Sequence, residues 1–366
     1  MKKKRVSWAA CAAACLGLTA CGGSQAAETT AAETTAAAQE TTAAETAKAE
    51  TTKAETAAAA ADQKLTGEVT VYMPSPSGLN EKYIQDFQDK TGVKVNLYEG
   101  TTGEILARLE AEKDNPVADV VVLASWSDGL SLKNTGVLMS YDAENADKLY
   151  PDWIDADKTL FGSSASALGV IYNTTEIAEL DADWTELADA KYKDMVAIPD
   201  PEKSGSCKDF LAGYMYANQE NGWKTWEDLA AGGMTVPGAN KAALEAVTTG
   251  EKAILVAGVD YNAYSSINKG EPLAVYYPKS GTVINPRPAM ILKSSKNVDN
   301  AKAFVDYLLS DDAQALVADA YLLPGRSDIQ CDNRTNVSDI PTFDLDWNWM
   351  MEHSDEYAQK LNEICK

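Results

Sequence analysis

The sequence predicts an α/β protein whose folded part has two halves, each a mainly parallel sheet flanked by helices. Three observations predict it. Short runs rich in Val, Ile and Leu alternate with helical periods along roughly the last 300 of the 366 residues. Most of these runs lead through Gly, Ser or Thr into a helix start, the arrangement of a parallel sheet with helical crossovers. Two further runs, Ala167 to Tyr172 and Leu273 to Thr282, sit where the chain would leave the first half and return to it.

Ahead of the folded part come two segments of different character. Residues 1–20 carry Lys2, Lys3, Lys4 and Arg5, then an Ala-rich apolar run to Leu18, the layout of an export leader too short to span a membrane. The run ends in LTAC, which resembles the lipobox of bacterial lipoproteins and implies a lipid on Cys21; an ordinary leader would be cut near Ala20 or Ala27. Residues 21–62 are almost pure Ala, Thr and Glu without an aromatic or branched aliphatic side chain, so they lack the apolar surface that would offset the cost of ordering them. They read as a tether.

The elements follow in order. Val69 to Met73 is a strand; Asn80 to Lys90 is a helix with Tyr83, Ile84 and Phe87 on one face and Gly92 as its stop. Val93 to Leu97 is the next strand. In YEGTTGEILARLEAE, Thr101 is an N-cap, Glu104 its capping-box partner, and Ile105, Leu106 and Leu109 the apolar face. Ala118 to Leu123 is a buried strand leading to a helix from Trp126 to Asn134. Met195 to Ile198, a helix after Ser206, Met234 to Val236, a helix after Asn240, and Ala253 to Val256 repeat the rhythm in the second half. Ala289 to Leu292 and paired helices from Asn300 to Ala320 complete the first half. Residues 63–172 with 276–330 are therefore expected as lobe 1, 173–275 as lobe 2, and 331–366 as a tail packed on a lobe.

Open parallel sheets bind ligands at the carboxyl edge of their strands, where helix starts present unpaired N–H groups. The turns at that edge carry Ser75, Ser77, Thr101, Thr102, Gly103, Ser125 and Trp126 in the first half, with Ser163 in FGSSASALG. The second half supplies Ser204, Gly205, Ser206 and Asn240, and AGVDYNAYSS adds Asp260 and Tyr261. Each hydroxyl taken alone reads better as a helix cap than as a ligand seat. Their convergence from two halves on one cleft points to a ligand.

Composition narrows the function. A net charge of −23 with no basic cluster outside the leader excludes nucleic acid and anionic lipid surfaces as general partners. A single histidine, His353, rules out a His-rich metal site and a serine–histidine–aspartate triad. No phosphate-binding P-loop, dinucleotide glycine motif, zinc-helix motif or nucleophile elbow occurs, so neither an enzyme nor a cofactor is expected. Beyond Cys21, Cys207 reads as a buried free thiol, and Cys331 with Cys365 as a possible disulfide bracketing the tail. Trp153, Trp184, Trp223 and Trp226 read as core.

The succession VTVYMPSPSG, TGVKVNLYEGTTGEILARLEAE, PDPEKSGSCKDFLAGY, VPGANKAALEAVTTGE, AKAFVDYLLSDDAQ and LLPGRSDI resembles the solute-binding proteins of bacterial ABC importers. The similarity runs from Leu65 to Ile329, on the branch of ferric-iron binders and their relatives for phosphonates and phosphorylated sugars. It implies the two-lobed clamp of periplasmic binding proteins, monomeric, exported and lipid-anchored on the outer face of the cytoplasmic membrane. Such a clamp closes on a small anionic solute and hands it to a permease and its ATPase. Iron binders of that branch have an adjacent Tyr-Tyr pair at the segment where this chain has Asp260, Tyr261, Asn262 and Tyr264. That departure favours a phosphonate or phosphorylated metabolite over iron, for which Asp260, Tyr261 and Tyr264 would be the oxygen set. The rival readings are an exported enzyme and a surface receptor without transport.

Overall fold

A computed structural model describes residues 65–366 except Ser75, and their side chains except those of Ser77 and Glu220. The leader, Cys21, the Ala/Thr/Glu segment and Ser75 lie outside the described residues.

The strands are β1 Glu68–Met73, β2 Lys94–Glu99, β3 Val120–Val122, β4 Phe161–Asn173, β5 Val196–Ala197, β6 Ile254–Val259, β7 Leu273–Tyr276, β8 Ile284–Ile291 and β9 Leu323–Pro324. The helices are α1 Ser77–Thr91, α2 Thr102–Ala111, α3 Trp126–Asn134, α4 Gly205–Asn218, α5 Gly222–Ala231, α6 Asn240–Thr248, α7 Asp260–Asn268, α8 Val298–Leu308, α9 Asp311–Asp319 and α10 Trp347–Ile364.

The strands pair in the order β2-β1-β3-β8-β4-β6-β5, with β7 and β9 also on β4. β1 is parallel to β2 and β3, and β5 is parallel to β6. Every pairing made by β4 or β8 is antiparallel. One strand therefore serves both halves. Phe161 to Ala167 of β4 pairs with β8, while Leu168 to Asn173 pairs with β6 and β7.

The composition of β4 follows from this position. It is buried along almost its whole length, and its first half, FGSSASA, is made of small residues after Phe161 because other backbone comes close on both sides. A Cβ on Gly162 would stand 2.8 Å from Trp153 Cβ, and one on Gly325 would overlap the Gly162 carbonyl. Its second half carries Leu168, Val170 and Ile171 into the core. The return runs from β7 through residues 277–283 to β8, so the observed return strand, Ile284–Ile291, begins later than expected and is longer than the Ala289 to Leu292 run suggested.

Helix starts and stops match their local chemistry. Gly92 stops α1 at φ 74°, donating its N–H to the Gln88 carbonyl. Thr101 and Glu104 form the capping box of α2. Trp153, Trp184 and Trp226 are buried in the core.

The tail contributes two features. Helix α10 packs against α3 and α4, with Met350, Ala358 and Leu361 buried. His353 stacks on Trp349 at 4.1 Å between ring centroids. Cys331 and Cys365 are both free, which corrects the expected disulfide: Cys331 is buried beside Leu322, whereas α10 carries Cys365 to the core cluster that holds Cys207. Arg334, in the tail, forms an ion pair with Asp260 in which both side chains are fully buried.

A fully buried ion pair is costly to break from one side. Arg334→Met is expected to lower stability by about 3–5 kcal/mol in urea denaturation, because it leaves the Asp260 carboxylate without its counter-ion. The double variant Arg334→Met with Asp260→Asn should recover most of that loss.

Candidate ligand-binding site

The carboxyl ends of the parallel strands from both halves open into one cavity of about 520 Å³. Pro74 and Pro76 follow β1; Glu99, Gly100, Thr101, Thr102 and Glu104 follow β2; Ala124 follows β3. From the other side come Lys203 to Ser206 before and at the start of α4, Ala239 to Lys241 at the start of α6, and Tyr261 and Asn262 in the first turn of α7. Arg287 enters from β8.

Seven of the residues singled out in sequence meet here: Thr101, Thr102, Ser204, Gly205, Ser206, Asn240 and Tyr261. Thr102 accepts from the Ala124 N–H, which ties the α2 start to the end of β3. Ser204 caps α4 by accepting from the Cys207 N–H and donates to Asn240 at 2.8 Å; Asn240 in turn donates to Ser206. The two helix starts are thus braced against each other. Gly103 lies beside the cavity with the Glu202 carbonyl 3.2 Å from where a Cβ would stand.

Four of the expected residues are committed elsewhere. Ser125 is fully buried, capping α3 and donating to Asp209 of α4. Trp126 packs in the core with Tyr72, Ile105 and Leu123, so it is not a cleft wall. Ser163 is buried and donates to the Arg287 carbonyl. Asp260 is enclosed by the Arg334 guanidinium, the Tyr277 hydroxyl at 2.9 Å and the Ala167 and Tyr261 N–H groups, which leaves it no face toward a ligand. Tyr264, half-buried, joins this network through Tyr277 and Thr335. Burial and the Asp260 charge push the Tyr277 phenol far above its ordinary range.

The residue that sequence reasoning did not place is Arg287. It is 4% exposed, its Nη1 donates to the Pro74 carbonyl, and its guanidinium lies 5.1 Å from the Tyr261 ring centroid. Its Nε has no hydrogen-bond partner, and no carboxylate pairs with it among the described residues. The available signal was a lone cation inside the strand INPRPAMI. Lys203, Lys241 and Lys269 also line the cavity, against Glu99 and Glu104, so the lining is net cationic in a chain of net charge −23. Glu104 is further engaged in capping α2.

Thr102 and Gly205 bring the two halves into contact at the cavity floor. A Cβ on Gly205 would stand 2.8 Å from Ser125 Cβ and 3.0 Å from Thr102 Cγ2. Gly205→Ala is therefore expected to hold the halves further apart and raise the radius of gyration in small-angle X-ray scattering, with helix content by circular dichroism unchanged. An unchanged radius would mean that this contact yields without separating them.

The pattern of the family described as bacterial extracellular solute-binding protein matches residues 115–353. Iron uptake protein A1 of Synechocystis sp. is 25% identical over 265 residues, 69% of this chain and 73% of that protein. A putative 2-aminoethylphosphonate-binding periplasmic protein of Salmonella typhimurium is 25% identical over 290 residues, 75% of this chain and 83% of that protein. The solved structure of the periplasmic binding protein AfuA from Actinobacillus pleuropneumoniae, with exogenous fructose-6-phosphate bound, superimposes with a TM-score of 0.71 at 22% identity, covering 81% of this chain and 97% of that one.

Proposed function

This chain belongs to the bacterial extracellular solute-binding proteins, and we propose that it captures a small organic anion with a phosphoryl or phosphonyl head, by closure of two lobes, for import by an ABC permease and its ATPase. The observation that carries the ligand class is Arg287. A guanidinium buried without a carboxylate is several kcal/mol out of balance unless an anion joins it. A phosphoryl oxygen at the cavity would pair with the Arg287 guanidinium and accept from N–H and hydroxyl groups at the starts of α2 and α4.

In this reading lobe 1 is residues 63–172 with 276–330 and lobe 2 is 173–275, joined by β4 and by the return from β7 to β8. Ligand contacts to both lobes supply the differential affinity that favours the closed arrangement. The leader and Cys21 would place the protein outside the cytoplasmic membrane on a lipid anchor, as a monomer on a tether of residues 21–62. Family membership argues for binding rather than turnover.

The relatives supply the probes. The Salmonella protein is named for 2-aminoethylphosphonate and the AfuA structure holds fructose-6-phosphate. The second reading is ferric iron, favoured by the Synechocystis relative and by Tyr261, Glu99 and Glu104 lining the same cavity. Of the other members of the iron set read from sequence, Asp260 is enclosed by Arg334 and Tyr277, and Tyr264 is half-buried against Tyr277 and Thr335.

Calorimetric titration with 2-aminoethylphosphonate, fructose 6-phosphate and ferric ion separates these readings. Arg287→Met is expected to weaken binding of the phosphorus-containing ligand at least about 100-fold, the loss of a charge-assisted hydrogen-bonded pair. Ligand-free stability should not fall, since the variant removes an unpaired buried charge. Unaltered affinity in Arg287→Met, or binding of iron alone, would overturn the anion reading. Thr101→Ala with Ser206→Ala should weaken the same binding with the fold intact.

A further inference from the structure

The site leaves one buried carboxylate unexplained. Asp209, in the second turn of α4, is fully buried and points away from the ligand cavity into the start of α3. One of its oxygens accepts from the Ser125 hydroxyl at 3.1 Å and from the Ser127 hydroxyl; the other accepts from the Trp126 N–H at 2.8 Å. All three donors belong to the first half of the chain and Asp209 to the second. We propose that Asp209 is an interlobe catch that couples closure of the lobes to pH. The two-lobe closure in this statement rests on the proposed function.

The charges around the catch argue for this. Asp128 faces it from α3 and Lys208 from its own helix, and Asp355 of α10 joins the cluster through Lys208. Lys208 is committed to Asp128 at 2.5 Å and to Asp355 at 2.8 Å, and Asp128 and Asp209 are both buried. The buried core of the cluster therefore holds two carboxylates and one ammonium, while Asp355 is largely exposed to solvent. One proton balances that core. Asp209 is the place for it, because its contacts are neutral hydroxyls and an amide, and a hydroxyl can turn to accept from a protonated carboxyl as readily as it donates to an ionised one.

Burial, reinforced by the Asp128 charge and opposed by Ser127, Lys208 and Ser125, pushes the Asp209 carboxyl up to about 7. With the lobes apart and Asp209 in water, the carboxyl returns to its ordinary value near 3.9. The closed arrangement thus holds the proton more tightly. Closure is favoured at low pH, weakens by up to tenfold per pH unit as pH rises from the ordinary carboxylate range toward about 7, and is independent of this group above that.

Small-angle X-ray scattering of the full chain without ligand, from pH 4.5 to 8.5, tests the catch. The wild type is expected to be more compact at pH 5 than at pH 7.5, with Asp209→Asn compact throughout. If Asp209→Asn does not fold, Asp128→Asn serves: loss of the neighbouring charge should move the upper end of the pH dependence down by about one unit. A wild-type radius that does not change with pH, or the same pH profile in the foldable variant, overturns the proposal. Because no ligand enters the experiment, that failure would leave the Arg287 anion site standing.

Discussion

The structure depends on one strand being shared. β4 runs through both halves, with β8 and β9 beside its first part and β6 and β7 beside its second. A strand buried on both faces and paired on both edges has no freedom to slip, since a one-residue shift would reverse every side chain. This fixes the two parallel sets, β1 to β3 and β5 to β6, so that their carboxyl ends open toward the same cavity. The small residues of FGSSASA are what this geometry demands, and they account for the absence of Ser163 from the cavity lining.

The second constraint is electrostatic. A chain of net charge −23 carries a cavity whose lining has four cationic side chains and two carboxylates. Net charge describes the whole surface and its solubility; a binding site is set by the few groups within a Debye length of the ligand. Arg287 has the greatest weight among them because it is buried and its Nε lacks a partner, whereas the Lys203 ammonium is exposed and pairs with Asp200. Buried arginines elsewhere in the fold are matched: Arg326 by Asp311 and Asp328, Arg334 by Asp260.

Much of the fold and part of the site were legible in sequence, for identifiable reasons. The Thr101 capping box, the Ser204 cap and the Gly92 stop are interactions over three or four residues, so a local pattern carries them. The alternation of strand and helix located most elements within a few residues. Ser125 looks like Thr101 in sequence, since both cap a helix after a strand, and it is removed from the cavity only because Asp209 arrives from 84 residues away. Asp260 was misread for the same reason, its partner Arg334 lying 74 residues further along. Arg287 was passed over because its position depends on β8 lying between β3 and β4, a pairing that no local pattern announces.

On the proposed function, the cavity around Arg287 holds a phosphorus-containing organic anion. Native mass spectrometry of the protein, purified gently from the cells that make it and compared with the same sample after denaturation and refolding, tests this most directly. Denaturation is expected to release a small molecule whose formula contains phosphorus. A mass difference equal to iron, with a reddish sample, would contradict it and move the site to an oxygen set that includes Tyr261.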